Sequence, residues 1–254
     1  MAEKQKHITD ERFRELVSEA GLKLTDESIR AFKVYYKMIV DKNKVMNLTA
    51  ITEYDDVLIK HFVDSLLVKR AIENLQEVEP KIEPLASAKV ADIGTGAGFP
   101  GVPIKICCPD TEVTLMDSLN KRIRFLDEVI GELGLSGIVA VHGRCEDLGR
   151  DSGFRESFDY VLSRAVARLS VLGEYALPLV RLGGYFIAYK AEEIDGEAKE
   201  AKKAISVLGG ELVDIIKVPL PGSDMIRSFC IIKKVKKCPK AYPRKAGTPA
   251  KQPL

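Results

Sequence analysis

Apolar positions between residues 9 and 74 recur at helical spacing, and beyond residue 88 they gather into short runs alternating with helical stretches. Thr9 and Asp10 are placed to cap a helix over 11–20, and Thr25, followed by Ser28 and Ile29, opens a second helix running to about Val40. Phe32, Tyr35, Tyr36 and Ile39 fall near one stripe of that helix, which assigns them to the core rather than to a binding face. The polar stretch 41–49 predicts a loop, 54–74 further helices, and 77–87, with Pro80 and Pro84, a linker. Strands are predicted at 89–93, 112–116, 137–142, 158–162, 184–189, 212–218 and 227–234. Helices are predicted over 100–107, 119–134, 165–181 and 191–207, with Gly134 and Gly209 as stops. Such alternation makes a doubly wound, mostly parallel α/β sheet of seven strands. Only residues 219–224 join the last two strands, too few for a crossover helix. That pair should form an antiparallel hairpin, so that the parallel sheet ends in an antiparallel edge. The organisation expected is a helical extension (1–76), a linker (77–88), an α/β domain (89–236) and a tail (237–254).

Composition narrows the class. With 254 residues, 46% of them hydrophobic, the chain can bury one substantial core. No run of about 18 apolar residues exists, and the polar start 1–6 lacks a leader's apolar stretch, so a cytoplasmic protein with no membrane contact is expected. Five cysteines without a C-x-x-C pair, Cys107 and Cys108 adjacent, are expected as free thiols rather than metal ligands. The net charge of +2 argues against a general polyanion binder, yet no acidic residue follows Asp224 while nine Lys and Arg do, from Arg227 to Lys251. The tail is either a solvated end or, with Tyr242, Pro243, Pro249 and Pro253 interleaved, a segment lying extended on a phosphate backbone.

The first predicted strand runs directly into Gly94-Thr95-Gly96-Ala97-Gly98-Phe99-Pro100-Gly101. Glycine at every second position lets the chain turn sharply and bring N–H groups close to a ligand. Asp117, ending the second strand, stands near the spacing of a ribose-binding acid. Gly96, Gly98 and Gly101 satisfy G-x-G-x-x-G, but in a dinucleotide loop the first glycine follows the strand directly, and that place belongs to Gly94. Counted from Gly94, the third glycine's place is taken by Phe99, and Pro100 has no N–H for a pyrophosphate. The stretch fits D-x-G-x-G-x-G better, a loop for S-adenosyl-L-methionine, with Asp117 accepting the ribose hydroxyls.

In an open α/β sheet the ligand lies beyond the carboxyl ends of the strands. That rule selects Gly94, then Asp117, Ser118 and Leu119, then His142, Gly143, Arg144, Cys145 and Glu146, then Ser163, Arg164 and Ala165. Cys145 and Glu146 would flank an adenine and Arg164 would face the substrate; the plainer account of Glu146 and Asp147 is charge at a helix start. His61 and Asp64 have the spacing of an acid–base pair, although a hydrogen bond between helices of the extension explains them more simply.

These residues also carry a resemblance. Asp92-Ile93-Gly94-Thr95-Gly96-Ala97-Gly98-Phe99-Pro100-Gly101-Val102-Pro103, Asp117-Ser118-Leu119-Asn120-Lys121-Arg122, and Ser163-Arg164-Ala165 resemble the bacterial RsmG (GidB) family. So do Asn47-Leu48-Thr49-Ala50-Ile51, His61-Phe62-Val63-Asp64-Ser65-Leu66 and the tail Tyr242-Pro243-Arg244-Lys245-Ala246-Gly247-Thr248-Pro249, where the family's usual second arginine is Lys245. The likeness spans nearly the whole chain. It implies a class I adenosylmethionine-dependent methyltransferase (Rossmann-like) that modifies guanine N7 in 16S ribosomal RNA, acting as a monomer on the RNA or the small ribosomal subunit. It implies cofactor contacts at Gly94, Gly96, Gly98, Phe99, Asp117, Ser118, Leu119, Cys145, Glu146 and Arg164. Substrate positioning falls to Asn47, Lys121, Arg144, Arg164, Lys190 and Arg227, with no metal. Guanine N7 has a lone pair and no proton, so no general base is expected. The chain accordingly lacks the Asn/Asp-Pro-Pro-Tyr/Phe motif used on exocyclic amines, and Ser163-Arg164-Ala165 lacks the cysteine used on pyrimidine carbon 5. Two other readings remain: a non-catalytic RNA-binding module on the same fold, and an NAD-dependent reductase.

Overall fold

The computed structural model describes residues 7–164 and 167–254; the polar start 1–6 and Ala165, where the helix expected over 165–181 begins, lie outside them. Thr9 caps α1 (Asp10–Glu19) by accepting the Arg12 N–H at 3.2 Å, and Thr25 caps α2 (Asp26–Met46) through the Ser28 N–H. α2 continues through 41–46, where a loop was expected. Those residues include no Gly or Pro, and Lys44 pairs with Asp41 at 2.8 Å one turn away. The helix stops at Asn47, whose φ of 46° is left-handed. A nearly continuous helical stretch follows: α3 (Tyr54–Val57), a π-helical turn (Leu58–Val63), α4 (Asp64–Leu66) and α5 (Val68–Val78).

The α/β part comprises β1 (Lys89–Ile93), α6 (Gly101–Cys107), β2 (Glu112–Asp117), α7 (Asn120–Glu132), β3 (Ile138–His142), α8 (Cys145–Leu148) and β4 (Phe158–Ser163). It continues with α9 (Leu169–Ala176), β5 (Val180–Lys190), α10 (Asp195–Val207), β6 (Gly210–Pro219), β7 (Ile226–Lys234) and α11 (Thr248–Lys251). The seven strands form one sheet in the order β3-β2-β1-β4-β5-β7-β6. The pairings among β3, β2, β1, β4 and β5 are parallel, and β7 runs antiparallel to both of its neighbours. The last strand is therefore antiparallel as expected, but it is not the edge. Phe229, Cys230, Ile231 and Ile232 of β7 are fully buried and need cover on both sides. β6, with Glu211, Asp214 and Lys217 exposed and Pro219 at its end, takes the edge instead. The helix expected over 165–181 ends at Ala176, because Pro178 cannot donate to a helical ladder, and the apolar run from Val180 becomes β5.

Side chains alternate across the sheet. Val90, Leu115, Leu162, Ile187 and Ile231 face the helical extension and share its core with Phe32, Tyr35, Ile39 and Phe62. Ala91, Met116, Val161, Phe186 and Ile232 face α9 and α10. The extension thus covers one face of the sheet rather than standing apart. The segment expected as a linker is tied down as well: Lys233 meets Glu79 at 2.5 Å, and the Tyr160 hydroxyl donates to the Glu83 carbonyl. Nor does the tail lie extended or detached. Arg155 donates to the carbonyls of Cys238 (2.8 Å) and Tyr242 (2.9 Å), and Cys238, Pro243 and Pro249 are buried. All five cysteines are free thiols. Among the described residues no helix is long and apolar enough to cross a membrane.

Candidate cofactor and active site

β1 lies between β2 and β4, so the chain leaves its carboxyl end toward opposite sides and opens a crevice there. A cavity of ≈ 430 Å³ occupies that crevice. Of the residues expected at the site, Gly94, Asp117, Ser118, Arg144, Cys145 and Glu146 line it together. Gly143, from the same strand end as Arg144, lines it as well, and so do Arg122, Tyr175 and Gly247, to which sequence reasoning assigned no role there. Arg122 stands in the first turn of α7, five positions after Asp117 at the end of β2; nothing in the local sequence marks Tyr175. A second cavity, of ≈ 320 Å³, opens between the start of α2 and the ends of α6 and α7 and contains none of the expected residues.

The glycine loop divides its labour. Gly94 and Gly96 have φ of 67° and 63°, and the Gly96 N–H donates to Asp117 Oδ2 at 3.1 Å. Asp117, only 4% exposed, also accepts from the Leu119 N–H at 2.9 Å and from Arg122 Nη1 at 3.1 Å. Gly98 faces the protein instead: a Cβ there would stand 2.6 Å from the Tyr35 hydroxyl and 2.7 Å from Val102. Its smallness serves the packing of α2 on the loop, with the Tyr35 hydroxyl donating to the Ala97 carbonyl at 2.6 Å. Beneath the loop, Asp92 Oδ2 accepts from Thr95 Oγ1 (2.7 Å) and the Gly101 N–H (2.8 Å). Asp92 Oδ1, fully buried, has no hydrogen-bond partner among the described residues. Burial, opposed by those two hydrogen bonds, pushes this carboxyl from its ordinary 3.8 up to about 6.

Phe99 and Arg164 belong to an adjoining seam between the extension and the sheet, outside the residues that line the cavity. The Phe99 ring stacks on His61, centroids 4.6 Å apart, and the Arg164 guanidinium lies 4.9 Å from its centroid. Arg164 Nη1 donates to Asp64 Oδ2 at 2.8 Å and Nη2 to His61 Nδ1 at 3.0 Å, while Arg227 Nε meets Asp64 Oδ1 at 2.7 Å. His61 and Asp64 are therefore neither an acid–base pair nor a bond between helices of the extension. They tie the extension to the ends of β4 and β7. The His61 Nε2 lies 2.8 Å from Thr49 Oγ1, and burial together with the Arg164 charge pushes the imidazole from 6.5 down to about 3. Lys190 is engaged by Glu197 and the Ala167 carbonyl, and its own carbonyl accepts from Arg227. Asn47, Leu119 and Lys121 are exposed, away from the cavity wall, and Asn47 stands two residues before Thr49.

Among solved structures the chain is similar to M. jannaschii TYW2 in complex with AdoMet, at 16% identity over 64% of this chain and 75% of that one, with a TM-score of 0.48. A family model described as GidB, rRNA small subunit methyltransferase G, matches residues 28–222. The ribosomal RNA small subunit methyltransferase G of Desulforamulus reducens is 52% identical over 95% of this chain and 96% of its own length. That of Alkaliphilus oremlandii is 50% identical over 92% and 94%. On the family model and these relatives, the chain belongs to the GidB family of ribosomal RNA small subunit methyltransferases.

Proposed function

We propose that this chain, a monomer in the cytoplasm, methylates N7 of a guanine in 16S ribosomal RNA, with S-adenosyl-L-methionine as the donor. The observation that supports this most is the cavity at the ends of β1, β2 and β3, where Asp117 faces the glycine loop. Bound there, adenosylmethionine supplies an electrophilic methyl group on a sulfonium, open to in-line attack by the N7 lone pair.

The residues present fit that donor. Asp117 offers a carboxylate for two ribose hydroxyls, held by three N–H groups that also fix its orientation. Asp92 Oδ1 is an anionic oxygen without a partner beneath the loop, matched to a ligand that carries an ammonium and a sulfonium. Glu146 presents a buried acceptor for an exocyclic amine, between Cys145 and Tyr175. Ser118 and Leu119 flank the ribose acid.

N7 has no proton to lose, so the chain's task is placement. Alignment of reactants is worth about 7–11 kcal/mol at best. His61 suits this role and not proton transfer, since both ring nitrogens are engaged and its protonation is suppressed to about 3. Asp64 fixes Arg164 and Arg227 at the seam, and exposed Asn47, Lys121 and Arg144 extend a polar face for RNA. The target guanine must be unpaired or exposed, because an A-form major groove is too deep and narrow to admit it. The test is transfer of labelled methyl from adenosylmethionine to unmodified small-subunit RNA or particles, followed by mass-spectrometric mapping of the product. Label on N7 of one guanine is expected; no transfer to either substrate overturns the reading.

A further inference from the structure

One wall of the cavity comes from outside the sheet and its crossovers. Gly247, near the end of the chain, lines it and donates its N–H to Glu146 Oε1 at 2.8 Å. Three residues earlier, Arg244 clamps the carboxylate of Glu174, with Nε 2.9 Å from Oε1 and Nη2 2.7 Å from Oε2. The Arg244 backbone N–H adds a third bond to Glu174 at 2.7 Å, and Nη2 also reaches the Gln252 carbonyl at 2.8 Å. Glu174 is 1% exposed, and its neighbour Tyr175 is itself part of the cavity wall. A buried carboxylate answered by one bidentate arginine is a strong and geometrically exacting attachment. The surrounding tail is anchored separately: Cys238, Pro243 and Pro249 are buried, Tyr242 and Leu254 pack against the core, and Arg155 holds the carbonyls of Cys238 and Tyr242. At the cavity rim itself the tail is held by the directed polar contacts of Arg244 and Gly247.

We propose that residues 244–247 form a strap that completes the cofactor cavity, so that docking of the tail and binding of adenosylmethionine strengthen each other. The proposal rests on the methyltransferase reading above. Docked, the strap supplies the Gly247 wall and orients Glu146; released, it leaves Glu146 without its N–H partner and the cavity without that wall. By linkage, whatever the strap adds to cofactor affinity the cofactor returns to strap docking. Arg244 is thus a positioning residue, acting through Glu174, Gly247 and Glu146.

Two measurements on the full chain test this. The first is trypsin cleavage at Lys245 of the wild-type protein, with and without saturating S-adenosylhomocysteine. Cleavage is expected to slow at least tenfold with the ligand present. The second is calorimetric affinity for adenosylmethionine in wild type, Arg244→Ala and Arg244→Lys. Arg244→Ala should bind at least tenfold more weakly and lose the protection at Lys245, with partial recovery in Arg244→Lys. Wild-type protein that binds the cofactor while Lys245 is cut at an unchanged rate, or an Arg244→Ala variant of unchanged affinity, overturns the strap and leaves the methyltransferase reading standing. A folded wild-type chain that binds no adenosylmethionine at all overturns that reading, and the strap with it.

Discussion

Replacing Asp92 by Asn should remove from the stability profile a component that falls as pH rises, the direction opposite to the usual aspartate. In the unfolded chain this carboxyl loses its proton near 3.8, whereas in the fold it holds the proton until about 6. Between those values the native state binds more protons than the unfolded state, so stability falls as pH rises, and the loss is complete above pH 6. A rise of about two pKa units corresponds to about 3 kcal/mol. No discount for solvent screening applies, because Asp92 is fully buried. Asparagine does not titrate, and its carbonyl can still accept from Thr95 and Gly101. Its amide leaves an orphan donor where Oδ1 was, at a cost of about 1–3 kcal/mol, but that cost is the same at every pH. The quantity to measure is therefore the difference in unfolding free energy between variant and wild type in urea, from pH 4 to 7. Across this range it should move in the variant's favour by about 2.5 kcal/mol, or about 5–10 °C in melting temperature at about 2–4 °C per kcal/mol. His61 also titrates abnormally, being held down to about 3, so its contribution is lost as pH falls from 6.5. That slope is common to both proteins and cancels. A difference flat to within about 0.5 kcal/mol across the range would refute the raised Asp92 pKa. The same variant should bind adenosylmethionine more weakly, since it removes the one buried anionic oxygen left without a partner among the described residues.

Asp64→Ala strands the two guanidiniums that meet at a fully buried carboxylate and should cost about 3–5 kcal/mol in urea denaturation; a loss below about 1 kcal/mol would mean that the seam adds no net stability. Asp117→Ala removes the carboxylate proposed to accept two hydrogen bonds from ribose, each worth about 1.5–3 kcal/mol to a charged group, so calorimetric affinity for adenosylmethionine should fall about 100-fold or more. Unchanged affinity would take Asp117 out of the cofactor site. Gly98→Ala places a methyl group 2.6 Å from the Tyr35 hydroxyl at a φ of 107°, and overpacking alone should cost about 1–3 kcal/mol. Gly96→Ala meets nothing nearer than a carbonyl at 4.0 Å, so its thermal melt should show the smaller loss.

What the sequence revealed and what it hid divide along one physical line. The glycine loop, Asp117 and the strand-end residues 144–146 were legible because each depends on local backbone: a strand's period, a turn's φ, a fixed offset from the strand end. Seven of the expected residues do meet around one cavity. The helix expected over 165–181, which ends at Ala176, shows the limit of that logic, since an apolar run fits a buried strand as well as a helix, and only Pro178 separates them. The position of β7 inside the sheet was equally hidden, because a hairpin's loop length sets pairing but not which arm faces outward. Contacts that close the site lie further beyond reach. Asp64 meets Arg227 across 163 positions, and Arg244 meets Glu174 across 70. A charge on a helix or in a tail reads as a solvated charge until the fold supplies a buried partner, and no periodicity encodes that partner. The candidate cofactor cavity is consequently half local and half global. Its floor is written in one loop and two strand ends, whereas the seam beside it and the proposed strap across it take shape only after the extension and the tail have folded onto the sheet.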